Sequence, residues 1–209
     1  MDERIIRSQD CINEGAAFLV KVEPRFDHAI ICIETVPLRL RPDGFERLLG
    51  AIVSQQVSVA AADAIWSRLE KGGMITPDAI LAASDDDLRT LGLSRQKVKY
   101  ARALSKADVD FAALRDMPHQ DVVKTLTAIS GIGIWTAEIY AMFSLARADV
   151  FAPGDLALQE AARMLFDLEE RPKERAFREM ALAWSPWRSV AARVLWAYYA
   201  YEKNREGIR

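Results

Sequence analysis

The chain reads as a series of apolar stripes at helical spacing, cut by short breaks that carry polar residues, glycine or proline. From Gly44 onward, FERLLGAIVSQQVSVAAADAIWSRLEK (45–71) places apolar residues at 45, 48, 49, 52, 53 and 57, one face of a helical period. This predicts a helix over 45–71 with a polar notch inside it, Ser54-Gln55-Gln56-Val57-Ser58. Gly72-Gly73 stops that helix. Thr76-Pro77 opens a short helix with proline at its first position. Ser84 caps another that ends near Gly92. Ser94 starts SRQKVKYARALSK, and HQDVVKTLTAI follows Pro118. LALQEAARMLF follows Pro153-Gly154-Asp155, Pro172 starts the next helix, and Pro186 splits EMALAWS from WRSVAARVLWAYYAYEK. Strand-like alternation is scarce. AIICIETV (29–36) is the one β-branched run, and it fits a buried helix end equally well. The pattern predicts an all-α protein of about ten helices with no internal repeat.

Composition bounds the class. The 209 residues fit one large domain or two small helical lobes, and 51% hydrophobic content is ample for a core. No run approaches the roughly 18 consecutive apolar residues of a membrane span. The charged start MDERIIRSQD has no apolar signal region, so a cytoplasmic, non-membrane protein is expected. Cys11 and Cys32 are expected to be reduced thiols. With only His28 and His119 beside them, a zinc site or a four-cysteine iron–sulfur cluster is not expected. The net charge of −2 excludes a surface coated in basic charge, but not DNA binding through backbone N–H groups.

Two stretches suggest chemistry. ISGIGIWTAEIYAMF (129–143) puts Gly131 and Gly133 between two apolar helices. Glycine permits positive φ and close approach by another chain. The first N–H groups of the following helix lack intrahelical acceptors and lie at the positive end of its dipole, a ready site for phosphate. An ordinary corner between helices explains the glycines equally well. Asp155 suits a helix N-cap before LALQEAARMLF, although Leu158 at the third helical position supplies no reciprocal capping partner. Arg95, Lys97, Lys99, Arg102 and Lys106 read as a solvated face, with some of them candidates for phosphate contact. Trp184 and Trp187 read as core, while Tyr198, Tyr199 and Tyr201 fit either core or site.

Taken together, FERLLGAIVSQQVS (45–58), LGLSRQKVKYARALS (91–105), ISGIGIWTAEIYAMF (129–143), DVFAPGDLAL (149–158) and WSPWRSVAARVLW (184–196) resemble the helix-hairpin-helix DNA glycosylase superfamily. Within it, the resemblance is to the 3-methyladenine DNA glycosylase II family, over roughly residues 20–200. It implies two helical lobes with the active cleft between them. Some relatives carry an additional β-rich N-terminal domain; this chain is expected to be too short for a full version, with AIICIETV at most a remnant and residues 1–209 forming one glycosylase unit.

The resemblance also implies roles. Asp155 matches the family's essential carboxylate, which would oppose positive charge developing on the deoxyribose. Trp135 stands where bifunctional relatives have the lysine that attacks the sugar, so base release without strand cleavage is implied. Trp135 and Trp196 would line the pocket for the extruded base, where a cationic purine stacks on indole. Gly131, Gly133 and the N–H of Thr136 would hold phosphate. Gln55 and Gln56 would lie against the minor groove, with Gln56 filling the gap or bonding the orphaned base. No cofactor is implied beyond a sodium or potassium ion on the backbone carbonyls of Thr127, Ile129 and Gly131. The expected partner is double-stranded DNA containing alkylated bases, and the expected state is monomeric. The expected substrate is 3-methyladenine, with 7-methylguanine as the second candidate. The alternatives are a non-catalytic DNA-binding module and a glycosylase/lyase for oxidised or mismatched bases.

Overall fold

The structure is a computed structural model describing residues 3–203. Among the described residues there are thirteen α-helices, one 3-10 turn and no strand; Ile5 and Arg147 form an isolated antiparallel bridge. In chain order the helices are α1 (Gln9–Val22), α2 (Arg25–Ile33), α3 (Phe45–Ser54), α4 (Val59–Lys71), α5 (Pro77–Ala82), α6 (Asp85–Thr90) and α7 (Arg95–Lys106). Then come α8 (Ala113–Asp116), α9 (His119–Thr127), α10 (Ile134–Phe143), α11 (Leu156–Leu165), α12 (Glu174–Met180), the 3-10 turn (Ala181–Trp184) and α13 (Arg188–Glu202). The chain divides into two compact units: residues 42–140, and the residues before 42 together with those after 140.

The discontinuous unit is built on α13, whose residues from Ser189 to Trp196 are all buried. α1, α2 and α11 pack on it. The approach of α1 depends on Gly15, where a Cβ would lie 2.7 Å from Val190 Cγ2 and 2.8 Å from Trp187 Cε3. Beside this lies an aromatic cluster in which Trp184 meets Phe26, Phe151 and Phe177 edge-on, with centroids 5.3, 5.4 and 6.1 Å apart. Trp184 and Trp187 are therefore core, as their sequence context suggested. Arg193 is buried to 1% exposure and donates to the carbonyls of Leu38, Ser189 and Met142. Desolvation, with repulsion from Arg39, pushes its pKa down to about 9. The run 29–36 resolves as a helix end: α2 continues to Ile33, and Glu34 leaves it at φ 60°.

The continuous unit is organised around α7, against which α3, α5 and α6 pack. Its short helices follow their caps. Thr76 Oγ1 accepts from Ala79 N–H, Ser94 Oγ accepts from Lys97 N–H, and Ser84 forms a reciprocal capping box with Asp87. The single helix expected over 45–71 is two, α3 and α4, separated at Gln55–Ser58. Local hydrogen bonding drives the break: Ser54 Oγ bonds back to the Gly50 carbonyl, and Ser58 Oγ caps α4 through Ala61 N–H. Val57 keeps the spacing of the apolar stripe but is exposed in the break, so the stripe does not report the interruption. One-turn helices such as α8 carry no period, so the chain holds more helices than its stripes announced. Pro172 lies just outside α12, whose N-cap is Lys173.

The close approach at Gly15 leaves no room for a side chain. Gly15→Val should lower the unfolding free energy by about 1–3 kcal/mol, the usual cost of overpacking; urea denaturation of the full chain measures it.

Candidate functional site

In the discontinuous unit, the segment leading to Asp155 is stitched to the start of α13. Ser189 N–H donates to the Ala148 carbonyl at 2.9 Å. The Ser189 hydroxyl sits between the carbonyls of Arg147 and Val150 and accepts from Val150 N–H. Asp149 takes Arg188 Nε at 2.6 Å and Nη2 at 3.0 Å, and the Ser185 hydroxyl at 2.8 Å. Burial alone would raise the Asp149 pKa, but the bonds from Arg188 and Ser185 outweigh it and hold the pKa below its ordinary value.

Six residues later the chain reaches Asp155, the N-cap of α11. Its Oδ1 accepts from Ala157 N–H at 2.9 Å, Leu158 N–H at 3.0 Å and Trp196 Nε1–H at 3.1 Å. The capping bonds and the bond to Trp196 thus fall on one oxygen of Asp155, a residue 8% exposed. Gln159 braces the approach by donating its side-chain amide to the Pro153 carbonyl at 2.7 Å. Trp196, expected to line a base pocket, is 2% exposed and tilts against Phe143 at 5.7 Å. Its ring is covered in this structure, and its indole N–H holds Asp155. Forty-one positions separate donor and acceptor, so no local sequence pattern could reveal that bond. Tyr198 is buried and Tyr201 exposed.

In the continuous unit, the hairpin runs from the end of α9 at Thr127 to the start of α10 at Ile134. Ile129 and Ile132 are buried and anchor it, with Ile132 N–H bonded to the Ile129 carbonyl at 3.0 Å. Its two glycines differ in their surroundings. Gly131 has φ 99°, and a Cβ there would lie 2.3 Å from Tyr100 Cγ. Gly133 is exposed, and a Cβ there would meet nothing within 4 Å. Packing therefore explains Gly131 and not Gly133. The Gly133 carbonyl accepts from Ala137 N–H at 3.1 Å, which makes Gly133 the residue that opens α10. Thr136, in the first turn, is buried, and Trp135 is 44% exposed.

Gln55 joins the hairpin to the break between α3 and α4, its side-chain amide donating to the Gly131 carbonyl at 2.8 Å. Gln56 is exposed and adopts φ 56°. For a monovalent cation, the relevant carbonyls are those of Thr127, Ile129 and Gly131. Ile129 and Gly131 each already accept one hydrogen bond, and a carbonyl oxygen has a second lone pair. The neutral all-oxygen set fits sodium or potassium. Among the described residues, no group of three or more His, Cys, Asp or Glu could hold a metal ion.

The basic run on α7 is not one solvated face. Arg102 donates to Asp85 and to the carbonyls of Ile80 and Ala83, tying α5 and α6 to α7. Lys97 is buried, and its ammonium donates to the Val53 carbonyl at 2.7 Å.

The described residues thus give a helical protein with a glycine hairpin that opens α10 and a buried carboxylate that caps α11. Residues 49–187 match the HhH-GPD superfamily of base excision DNA repair proteins, and the chain belongs to that family. It is 32% identical over 196 residues to DNA-3-methyladenine glycosylase from Saccharomyces cerevisiae, covering 83% of this chain and 66% of that one. It is 28% identical over 165 residues to DNA-3-methyladenine glycosylase 1 from Schizosaccharomyces pombe, covering 75% of this chain and 72% of that one. Relatives from Bacillus subtilis and S. pombe are matched over 57–76% of their own lengths. The crystal structure of a DNA-3-methyladenine glycosidase from Bacillus halodurans superposes with a TM-score of 0.79 at 33% identity, covering 96% of this chain and 93% of that one. Among the described residues, no helix is long and apolar enough to cross a membrane.

Two measurements check this geometry. Gly131→Ala should cost about 2 kcal/mol or more in denaturant unfolding, because φ and Tyr100 both oppose a Cβ. Gly133→Ala should change stability by less than about 1 kcal/mol. Asp149 has a folded pKa below its unfolded value of about 3.9. Its contribution is therefore fully present above that value and lost as pH falls through the folded pKa. The stability gap between the native chain and Arg188→Met should be widest near neutral pH and should narrow below about pH 4.

Proposed function

We propose that the chain is a monofunctional DNA glycosylase. It flips alkylated purines out of duplex DNA, chiefly 3-methyladenine and also 7-methylguanine, and excises them to leave an abasic site. The observation that carries this reading is Asp155: a carboxylate fixed by three N–H donors at the start of α11. Trp135, an indole that cannot form a Schiff base, supports the absence of lyase chemistry. Lys97 offers no substitute nucleophile, because its ammonium is buried and bonded to the Val53 carbonyl.

The steps follow from charge. N–H groups of the hairpin and of the first turn of α10 hold a phosphate, with the open side of Gly133 admitting the backbone. Gln56 enters the space left by the flipped nucleotide. The partly exposed ring of Trp135 stacks on the extruded base, and a cationic purine gains about 0.5–2 kcal/mol from such a contact. As the C1′–N bond breaks, its electron pair leaves with the base and cancels that positive charge. Asp155 opposes the positive charge growing on the sugar, and its fixed orientation avoids reorganisation at that moment. Water oxygen joins C1′, and its proton passes to the carboxylate or to solvent. A sodium or potassium ion on the carbonyls of Thr127, Ile129 and Gly131 would add positive charge for the phosphate. The protein acts as a cytoplasmic monomer on double-stranded DNA.

Base release from methylated duplex DNA tests the reading. Asp155→Asn should lower the release rate by roughly a hundredfold or more, and borohydride should trap no protein–DNA adduct. Absence of release by the native chain, with DNA binding retained, would instead select a non-catalytic module. Equal release by the variant would remove Asp155 from the chemistry.

A further inference from the structure

We infer that Lys97 is a positioning residue that sets the Gln55–Gln56 turn in register with the phosphate-gripping hairpin. The inference rests on the base-excision reading above. Val53 is the penultimate residue of α3, so its carbonyl is one of those that a helix end leaves without an intrahelical donor. Lys97, a residue only 8% exposed, reaches it with a 2.7 Å bond from its ammonium. Burying a cation is costly, and desolvation lowers its pKa. An apolar residue of the same length would fill the space without that cost. What the ammonium adds is a charge-assisted bond at the negative end of the α3 dipole, two residues before Gln55.

The same face of α7 touches the hairpin. Tyr100 lies three residues beyond Lys97, one helical turn along, and covers Gly131 so closely that a Cβ would be 2.3 Å from Tyr100 Cγ. Gln55 closes the triangle by donating to the Gly131 carbonyl at 2.8 Å. One helix thus fixes the end of α3 through Lys97 and the hairpin through Tyr100, while Gln55 ties those two points together. Gln56 follows in a left-handed conformation that a non-glycine residue keeps only when its surroundings over-determine it. The turn is therefore preset with respect to the phosphate grip before DNA arrives. Its function is to make filling of the gap depend on a correctly seated backbone.

The test compares two duplexes, one intact and one carrying an abasic-site analogue opposite 2-aminopurine. Affinity for each and the 2-aminopurine fluorescence are measured beside thermal melting, using the native chain, Lys97→Met, Lys97→Arg and Gln55→Leu. Lys97→Met should lose roughly tenfold or more of the preference for the abasic duplex, the scale of one charge-assisted bond. It should also lose the fluorescence change, while intact-duplex affinity stays within about twofold of native because the hairpin is untouched. Lys97→Arg should restore part of the preference. Gln55→Leu removes the bond to the hairpin without disturbing a buried charge, so it should reproduce the loss even if Lys97→Met unfolds. Unchanged preference in Gln55→Leu and in a folded Lys97→Met overturns the inference, as does an equal fall on both duplexes. So does a native chain with no preference for the abasic duplex. Base release by the native chain, run in parallel, separates these failures from failure of the glycosylase reading.

Discussion

One oxygen of Asp155 takes the first N–H groups of the helix it caps and the indole N–H of a tryptophan on another helix. A carboxylate held in this way cannot swing toward solvent without leaving a helix end unsatisfied and a buried indole without its acceptor. Much of the discontinuous unit serves that arrangement. α13 is buried along eight consecutive residues, which fixes Trp196. The start of the same helix is bonded to residues 147–150, which fixes the segment from which Asp155 emerges. Gly15 in turn lets α1 approach α13 closely enough to close that core. Packing, capping and the placement of a charge are here one structural problem, solved around one helix.

The continuous unit poses the complementary problem of presenting backbone N–H groups. Buried Ile129 and Ile132 secure the hairpin from below, and Tyr100 leaves no space above Gly131. Gly133 faces open space instead. Packing does not require a glycine there; under the proposed function it leaves room for a phosphate backbone. Lys97 and Gln55 extend the same rigidity to the neighbouring turn.

The helical class, most caps and the hairpin were legible because each is written locally. Ser84 with Asp87, Thr76 with Pro77, and Gly131 with Gly133 lie within one turn of their partners. The break at Gln55–Ser58 was not legible. The stripe is read from spacing alone, and Val57 keeps that spacing although it is exposed in the break. The charged run 95–106 was legible in part, since Arg95, Lys99 and Lys106 are exposed as a solvated face should be. Its spacing suggests a solvated face, yet Arg102 and Lys97 are spent on carbonyls of other helices. Trp196 was singled out by resemblance, but its orientation toward Asp155 depends on how α13 packs.

The sequence by itself determined the all-α class, the hairpin, the candidate carboxylate and the absence of lysine at position 135. These depend on residue type and on spacing within a turn or two. Only the tertiary structure decided that Asp155 is braced by Trp196, that Gly131 is needed by Tyr100 while Gly133 is not, and that Lys97 bonds the Val53 carbonyl and Gln55 the Gly131 carbonyl. Those contacts join residues tens of positions apart. A hydrogen bond or a van der Waals limit acts only over a few ångströms in space, and which distant residues come that close is settled by how the helices pack.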